Sequence, residues 1–213
     1  FVNLLQKIKD YKNEKDLKII YASSGGTVIG DSESEISEDS TPNPKSPFGI
    51  SKYCTEMLSD FYQKNYDLNL IGLRFTNVYG PMMEHKPNFI SKLMLASLRK
   101  DEVVIFGDGK QSRDFIYIGD VIESILLSIE SNYKGVLQIG SGKNISINDL
   151  IGNISKIDNI SIPKLKYKDK RKGDVLHVKC NCSKALEKIG FKSKNNIDEG
   201  LKKTYKWFKE NTI

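Results

Sequence analysis

Short apolar runs alternate along this chain with segments whose apolar residues recur every three or four positions. The runs Leu17–Ala22 and Leu68–Phe75 are short and end in polar, glycine-containing turns, which predicts strands buried on both faces of a parallel sheet. Between them, residues 47–61 have the period of a helix. A strand, a helix and a second strand in this order predict one right-handed βαβ unit.

The predicted helix that begins at residue 47 has clear start signals. Ser46 belongs to the residue types that cap helices, and Pro47 suits the first helical position. The apolar residues of this helix fall on one face at steps of three and four: Ile50, Cys54, Met57, Leu58 and Phe61. The pattern therefore predicts an amphipathic helix.

The rest of the chain continues the alternation. Further helices are predicted over residues 1–11, 88–98, 120–129, 147–157, 183–189 and 197–210, and further strands over residues 103–106, 115–118 and 135–139. The basic segment 162–179 is predicted to be irregular, and the segment 31–47 to be a long surface loop. Strands that alternate with helices place the chain in the α/β class.

Composition narrows the function classes. The 213 residues are 38% hydrophobic and 28% charged, which is ordinary for a globular protein and excludes a disordered or collagen-like chain. No apolar run reaches the roughly 18 residues of a membrane span, and the first residues lack the layout of a secretory signal. Three cysteines without such a signal predict reduced thiols and a cytoplasmic location.

The net charge of +6 raises the question of an anionic partner. A basic chain can bind nucleic acid or a phosphorylated small molecule. Lysines are scattered over the whole chain, and the basic segment 164–172 contains one aromatic residue, Tyr167, without the stacking pattern of a nucleic-acid site. We therefore expect no nucleic-acid partner, because net charge is the only feature of the sequence that favours nucleic-acid binding. Cys180 and Cys182, with only His177 nearby, do not supply four zinc ligands, so no metal is expected.

Six segments resemble, in order, the motifs of one family. They are ASSGGTVIG (Ala22–Gly30), PFGISK (Pro47–Lys52), RFTNVYGP (Arg74–Pro81), IFGDGKQSRDFIYIGD (Ile105–Asp120), LQIGSG (Leu137–Gly142) and RKGDVLH (Arg171–His177). Their sequence and spacing resemble the NAD-dependent sugar-nucleotide epimerases and dehydratases of the extended short-chain dehydrogenase/reductase superfamily, which includes UDP-glucose 4-epimerase. The resemblance implies NAD as cofactor and a nucleotide diphosphate sugar, with UDP favoured, as substrate.

One motif of that family is absent from this sequence. The family opens with a glycine-rich turn that places the NAD pyrophosphate at a helix N-terminus, and no such G-x-x-G-x-x-G occurs here. The resemblance therefore implies the C-terminal portion of the family fold: an incomplete Rossmann-type parallel sheet with a smaller α/β substrate-binding domain. We expect residues 1–80 to belong to the NAD-binding domain. Residues 81–213 should form mainly the substrate domain, with some segments that return to the Rossmann sheet.

The resemblance places the catalytic groups at three positions. Lys52 matches the family lysine that binds the nicotinamide ribose, but Phe48 stands where the family has its catalytic tyrosine. The family serine or threonine aligns with Gly25, so Ser24 or Thr27 would have to supply the hydroxyl, and we favour Ser24. Loss of a positioned acid or base lowers turnover by roughly 10²–10⁴-fold, so impaired catalysis is expected. A substitution made to trap substrate would explain Phe48 but not Gly25. Decay of an unused gene, or a binding role without catalysis, would explain both residues.

Cofactor and substrate contacts are also implied by position. The residues expected at NAD are Ser23, Ser24, Lys52, Phe75 and Thr76. The residues expected at the nucleotide sugar are Asn77, Asn88, Phe89, Arg113, Arg171 and Asp174. Arginine suits the diphosphate because a guanidinium binds two oxygens at once. A structural role stays open for Arg113, beside Asp114 or Asp120, and for Asn77 in its turn. For Arg74 the structural role is favoured.

The favoured interpretation is an NAD-dependent epimerase or dehydratase that oxidises a sugar nucleotide transiently by hydride transfer. The rival is a non-catalytic nucleotide-sugar-binding protein, or a subunit that needs a partner for the missing part. The sequence leaves open the sugar, and also the choice between epimerisation, dehydration and decarboxylation. Because the family commonly dimerises through two helices, one of them the Lys52 helix, a homodimer is expected if the full domain is present. Met57 and Phe61 would then lie in that contact, or else in the core.

Overall fold

The computed structural model describes residues 1–11, 17–30, 32, 35–85, 88–170 and 179–212. The helices in this part of the chain are α1 (Val2–Lys9), α2 (Gly25–Ile29), α3 (Pro47–Tyr66), α4 (Phe89–Arg99), α5 (Ile118–Glu130), α6 (Ile147–Ser155), α7 (Ser183–Ile189) and α8 (Ile197–Asn211). The strands are β1 (Lys18–Ser24), β2 (Asn69–Phe75), β3 (Asn77–Tyr79), β4 (Glu102–Phe106), β5 (Ser112–Tyr117), β6 (Gly135–Ile139), β7 (Asn144–Ser146) and β8 (Lys164–Lys168). This alternation confirms the predicted α/β class.

The sheet that carries the expected cofactor residues is parallel, with the strand order β1-β2-β6. Ser24 pairs with Phe75, and Phe75 pairs with Ile139, so the carboxyl ends of the three strands lie level. β1, α3 and β2 form the predicted βαβ unit, and β6 returns to this sheet from much later in the chain. Among the described residues, no strand pairs with the second edge of β1.

Two smaller sheets complete the fold. The first has the order β3-β5-β7, in which β3 and β5 are parallel and β7 is antiparallel. In the second, β4 pairs in parallel with β8, which lies in the segment predicted to be irregular. Leu165 packs against the core, whereas the lysines of β8 are exposed. Backbone pairing with β4, rather than burial of side chains, therefore defines this strand.

Helix α3 begins as predicted, but most of its predicted apolar face is exposed, and of that face Leu58 packs against a core cluster. The Ser46 hydroxyl accepts a hydrogen bond from the backbone N–H of Gly49 at 3.1 Å. The apolar residues Ile50, Met57 and Phe61 are 51%, 47% and 51% exposed. The residues that α3 buries are instead Gly49, Glu56, Ser59 and Tyr62. The core alternative for Met57 and Phe61 is therefore wrong within this chain.

A buried ion pair explains why α3 turns a charged residue inward. Arg74, on the central strand β2, is only 4% exposed. Its Nε and Nη2 donate to the two carboxylate oxygens of Glu56 at 2.9 and 2.8 Å, and the Ser23 hydroxyl donates to Glu56 Oε1 at 2.5 Å. A buried charge needs such a partner, because desolvation without compensation is costly. These bonds tie α3 to β1 and β2, which is the structural role favoured for Arg74.

The segment predicted as a long surface loop is anchored at its middle. Ile36 is fully buried and forms a parallel bridge with Cys180. The backbone N–H of Ile36 donates to the carbonyl oxygen of Lys179 at 2.8 Å. The loop is thus held against a distant part of the chain.

The two largest of the four hydrophobic clusters among the described residues pack helices against strands. One lies between the first sheet and α5 and α7, and includes Ile71, Leu73, Val121, Leu137, Ala185 and Ile189. The other joins α4, α6 and α8 to β4, and includes Leu93, Met94, Val103, Leu150, Leu201 and Phe208. The second cluster supports the elements that line the cavity described below. Within the described ranges, no helix combines the length and apolarity needed to cross a bilayer.

Candidate active site

The carboxyl ends of β1 and β2 bring together residues expected at the cofactor. Ser24 ends β1 opposite Phe75, the last residue of β2. Thr76 follows, and its backbone N–H donates to the carbonyl oxygen of Ile139 at 3.0 Å. Ser23 is buried, and its hydroxyl is bonded to Glu56, so its side chain serves the anchor of α3. Ligands of parallel α/β sheets bind at this edge.

Lys52 reaches the same edge from the second turn of α3. Its Nζ donates to the carbonyl oxygen of Ala22, on β1, at 2.9 Å. The Nζ atom also lies 5.5 Å from the centroid of the Phe48 ring, one helical turn earlier. Phe48 is 52% exposed. The ring therefore lies beside an ammonium group at the surface, but it carries no hydroxyl through which a proton could move.

The space beside Gly25 is already occupied. A Cβ atom at residue 25 would lie 2.3 Å from Gln138 Oε1. Gln138 is fully buried on β6, and neither atom of its carboxamide has a hydrogen-bond partner among the described residues. The Thr27 hydroxyl is buried and similarly unpartnered, whereas Ser24 is only half-buried. Of the two neighbours considered for the missing hydroxyl, Ser24 is the more accessible.

A cavity of about 840 Å³ lies beside α4, β4 and β5. Its volume is within the range of roughly 300–1,000 Å³ that is typical of small-molecule sites. Four of the six residues expected at the nucleotide sugar line it: Asn77, Asn88, Phe89 and Arg113. The fold thus collects residues from β3, from the start of α4 and from β5 around one space.

Hydrogen bonds to the backbone hold the two asparagines in place. Asn88 caps α4, because its Oδ1 accepts from the N–H of Ser91 at 2.9 Å, and its Nδ2 donates to Val78 O at 2.6 Å. Asn77 donates to the carbonyl oxygen of Asp114 at 3.1 Å. The Asn77 side chain thus has a structural contact and also lines the cavity.

Arg113 lies on β5, and its Nη1 donates to the carbonyl oxygen of Ser112 at 2.9 Å. The two carboxylates considered as its partners both accept hydrogen bonds from neutral donors. Asp114 accepts from the N–H and hydroxyl of Ser141 at 2.9 and 2.7 Å, and Asp120 accepts from the hydroxyl of Ser193 at 2.6 Å. Burial raises the pKa of Asp114, and the bonds from Ser141 oppose that shift. Asp114 thereby links β5 to the loop after β6.

Several residues of the cavity were not predicted from the sequence. The segment 104–106 lines one side together with Gln111, whose Nε2 donates to the carbonyl oxygen of Phe106 at 2.8 Å. Glu84 and Lys92 add charged groups near the start of α4. The motif Ile105–Asp120 was an available signal for Phe106 and Gln111, because both lie within it. No quoted motif contains Glu84 or Lys92.

The expected residues do not all meet in the cavity. Among the described residues that line it, Ser24, Phe48 and Lys52 do not occur. They lie at the carboxyl edge of β1 and β2, and the segment 75–77 connects this edge to the cavity. Arg171 and Asp174 lie outside the described residues.

The cysteines do not form part of a metal cluster in the described ranges. There, no group of three or more His, Cys, Asp or Glu side chains is arranged to hold an ion. Cys180 is buried and Cys182 is partly buried. Burial raises the pKa of both thiols, that of Cys182 to about 12. Both groups are therefore protonated at neutral pH.

Known proteins resemble this chain over most of its length. Residues 1–140 match the model of the NAD dependent epimerase/dehydratase family. A putative UDP-glucose 4-epimerase of Methanocaldococcus jannaschii is 35% identical over 214 residues, covering 99% of this chain and 68% of that protein. The UDP-glucuronate 4-epimerase of Thermodesulfobacterium geofontis is 32% identical over 212 residues, covering 99% and 64%. The chain thus spans about two thirds of the length of these relatives.

Solved structures of UDP-sugar epimerases also resemble this chain. The UDP-glucose 4-epimerase of Thermotoga maritima with UDP-glucose is 35% identical, with a TM-score of 0.88, and the match covers 100% of this chain and 69% of that chain. The UDP-glucuronic acid 4-epimerase of Bacillus cereus with UDP-glucuronic acid and NAD is 29% identical, with a TM-score of 0.88, over 97% and 65%. The likeness confirms the Rossmann-type fold class and, for the family, NAD as cofactor. Together with the family match over residues 1–140, it shows that this chain belongs to the NAD-dependent epimerase/dehydratase family.

Proposed function

We propose that this chain binds a UDP-sugar in the cavity beside α4 and belongs to a protein that oxidises the sugar transiently with NAD. The observation that carries the proposal is the convergence of Asn77, Asn88, Phe89 and Arg113 on one space of about 840 Å³. The guanidinium of Arg113 binds the diphosphate, for which its paired N–H donors are suited. Arg171 and Asp174 are proposed to complete the substrate contacts.

The nucleotide base is assigned to the β4 side of the same cavity. Residues 104–106 and Gln111 line that side and offer peptide and amide groups for a hydrogen-bonded base edge. The sugar then lies at the opposite end, beside Asn77. This orientation is supported by the segment 75–77, which leads from the cavity to the edge that carries Lys52.

The residues at the carboxyl ends of β1 and β2 fit the nicotinamide end of NAD. Ser24 and Phe75 lie on adjacent strands, Thr76 follows, and Lys52 brings an ammonium group to Ala22 at 2.9 Å. In this proposal Lys52 binds the nicotinamide ribose. The cofactor, when bound, supplies the acceptor for a hydride from the sugar carbon. The remaining part of NAD needs the glycine-rich turn, which this sequence does not contain.

In the proposed reaction, this chain lacks the side chains that would transfer the proton. Phe48 lies 5.5 Å from the Lys52 ammonium but has no phenol, and Gly25 has no hydroxyl. We therefore expect turnover to be lower by roughly 10²–10⁴-fold than with a positioned acid or base. These two residues also favour the second candidate function, a nucleotide-sugar-binding protein or subunit without catalysis.

Three further expectations belong to the same proposal. The protein is cytoplasmic, its NAD-binding part includes residues 1–80, and it forms a homodimer. The dimer proposal is supported by the exposed face of α3, on which Ile50, Met57 and Phe61 are each about half exposed. A face of this kind buries apolar area when two copies meet.

Isothermal titration calorimetry with UDP and with NAD tests the proposal. We expect UDP to bind, and Arg113→Met to weaken its binding at least about tenfold, because a charged hydrogen bond to the diphosphate is lost. Lys209→Met, an exposed change on α8, is the matched control and should leave UDP binding unchanged. Absence of UDP binding overturns the proposal. Because this sequence lacks the glycine-rich turn, both candidates predict weak NAD binding by this chain alone. Turnover of a UDP-sugar after complementation with the amino-terminal part of a relative would favour the catalytic candidate, and absence of turnover the non-catalytic one.

A further inference from the structure

The cavity is lined by charged side chains that the proposed function does not use, and Glu84 is one of them. Glu84 lies in the connection between β3 and α4 and lines the cavity with Asn77 and Asn88. Its side chain is 25% exposed. Its Oε2 is buried and accepts no hydrogen bond from any described residue, while its Oε1 lies 3.5 Å from Nε2 of the exposed His85. The Glu84 carboxylate therefore lies at the cavity with one oxygen that no described residue hydrogen-bonds.

In the proposed orientation of the ligand, Glu84 lies at the sugar end of the cavity. The adjacent residue Met83 contacts Asn88, whose Nδ2 lies 3.9 Å from the Met83 sulfur, at the first turn of α4. The other acidic residues of the cavity, Asp101 and Glu102, follow the far end of this helix, which has 11 residues and is roughly 16 Å long. Glu102 is also paired with Lys164 at 2.7 Å. Of the three acidic residues that line the cavity, Glu84 is therefore the one in the connection between β3, which begins at Asn77, and the start of α4.

A carboxylate beside a bound sugar distinguishes between substrate classes. An ionised carboxylate is only an acceptor, so it binds sugar hydroxyl groups, each of which has a donor. A hexuronic acid has its own carboxylate at neutral pH, and two negative charges close together in a partly buried site repel each other. Discrimination by repulsion is a common route to specificity.

We propose that Glu84 selects nucleotide sugars with a neutral hexose and rejects those with a hexuronic acid. This inference rests on the proposed function, because it requires the UDP-sugar to lie in this cavity with its sugar at the Asn77 end. It addresses a choice that the relatives leave open, since they include both UDP-glucose and UDP-glucuronate epimerases.

The test is calorimetry with UDP, UDP-glucose and UDP-glucuronate on the same preparation. We expect UDP-glucose to bind at least about tenfold more tightly than UDP-glucuronate. Glu84→Gln should reduce this ratio towards one, and Glu84→Lys should invert it. UDP itself should bind equally to the parent and to Glu84→Gln, which also shows that the variant is folded. Glu187→Gln, an exposed change on α7 that removes the same charge, is the control and should leave the ratio unchanged.

The outcomes separate the two proposals. If UDP binds but the parent chain binds both UDP-sugars equally, or if Glu84→Gln leaves the ratio unchanged, the role of Glu84 is overturned and the proposed function stands. If neither UDP nor either UDP-sugar binds, the proposed function fails, and this inference fails with it.

Discussion

Gly49 of α3 lies directly against the backbone of Thr27 in α2. A Cβ atom at residue 49 would lie 2.2 Å from the carbonyl oxygen of Thr27, a distance at which one of the two backbones has to move. The missing side chain thus lets the first turns of α3 approach the carboxyl end of β1. Phe48 and Lys52 are on those turns, so this close contact positions the proposed catalytic edge.

Gly49→Ala is therefore expected to destabilise the chain. Insertion of one methyl group against a backbone carbonyl in a packed contact costs about 1–3 kcal/mol. Gly152→Ala, on α6, is the matched control, because no atom lies within 4 Å of the position of its Cβ. This control should gain about 0.4–1 kcal/mol from the helix-favouring residue. Urea unfolding of both variants measures the difference, and a neutral Gly49→Ala would contradict the close approach.

The buried pair of Arg74 and Glu56 should be sensitive to the loss of either partner. Glu56→Gln leaves the Arg74 guanidinium buried without a negatively charged partner. We therefore expect the free energy of unfolding to fall by about 3–5 kcal/mol. Asp60→Asn on the same helix removes an exposed ion pair with Lys64, and should change stability by at most about 0.5 kcal/mol. Denaturant midpoints of the two variants provide the comparison. Equal effects would show that the buried pair does not anchor α3.

A phenol placed at residue 48 should be acidified by Lys52. The ammonium lies 5.5 Å from the Phe48 ring centroid and would stabilise a phenolate, so the phenol introduced by Phe48→Tyr should have a pKa below the usual value. The ring is about half exposed, so the added hydroxyl should change stability by less than about 0.5 kcal/mol. NMR of ¹³C-labelled tyrosine, compared with the parent chain, identifies and titrates the new signal.

The double variant Phe48→Tyr with Lys52→Met is the control for that shift. Removal of the ammonium should return the pKa of the introduced phenol to its ordinary value. High salt should also reduce the shift, because the site is partly exposed and screening weakens the attraction. An unshifted phenol pKa in the single variant would show that Lys52 does not influence a group at residue 48, the proposed acid–base position.

The three thiols should differ in reactivity. Cys54 is exposed on α3, whereas burial raises the pKa values of Cys180 and Cys182. With a pKa of about 12, the Cys182 thiol is ionised to only about one part in 10⁴ at pH 8, and the thiolate is the reactive form. We expect one equivalent to react rapidly with a thiol reagent in the native protein and three after denaturation. Cys54→Ser should remove the rapid phase, and a second rapid thiol would contradict the burial.

Local patterns were sufficient to predict most elements. The runs Leu17–Ala22 and Leu68–Phe75 became β1 and β2 within two residues at each end, and α7 has the predicted bounds. Short apolar runs and helical periodicity report burial along the chain, and burial largely decides these elements. β8 was missed because Lys164, Lys166 and Lys168 bury little, and only the pairing with β4 makes that segment a strand.

Helix α3 shows where periodicity was insufficient. The spacing of Ile50, Met57 and Phe61 correctly indicated one face, but it could not tell which face the sheet covers. The inward face carries Glu56 because Arg74, on the central strand, requires a buried partner. That requirement involves residues from two elements, so it is not visible in the pattern of either one.

The sequence by itself determined the α/β alternation, the family motifs and the residue types at positions 25, 48 and 52, since all of these are local. The tertiary structure placed Asn77, Asn88 and Arg113, which the family resemblance assigns to one substrate, around a single cavity, and it added Glu84 to that cavity. It also filled the space beside Gly25 with Gln138. Such contacts depend on how strands pair and helices pack over long separations along the chain, and no local pattern encodes those distances.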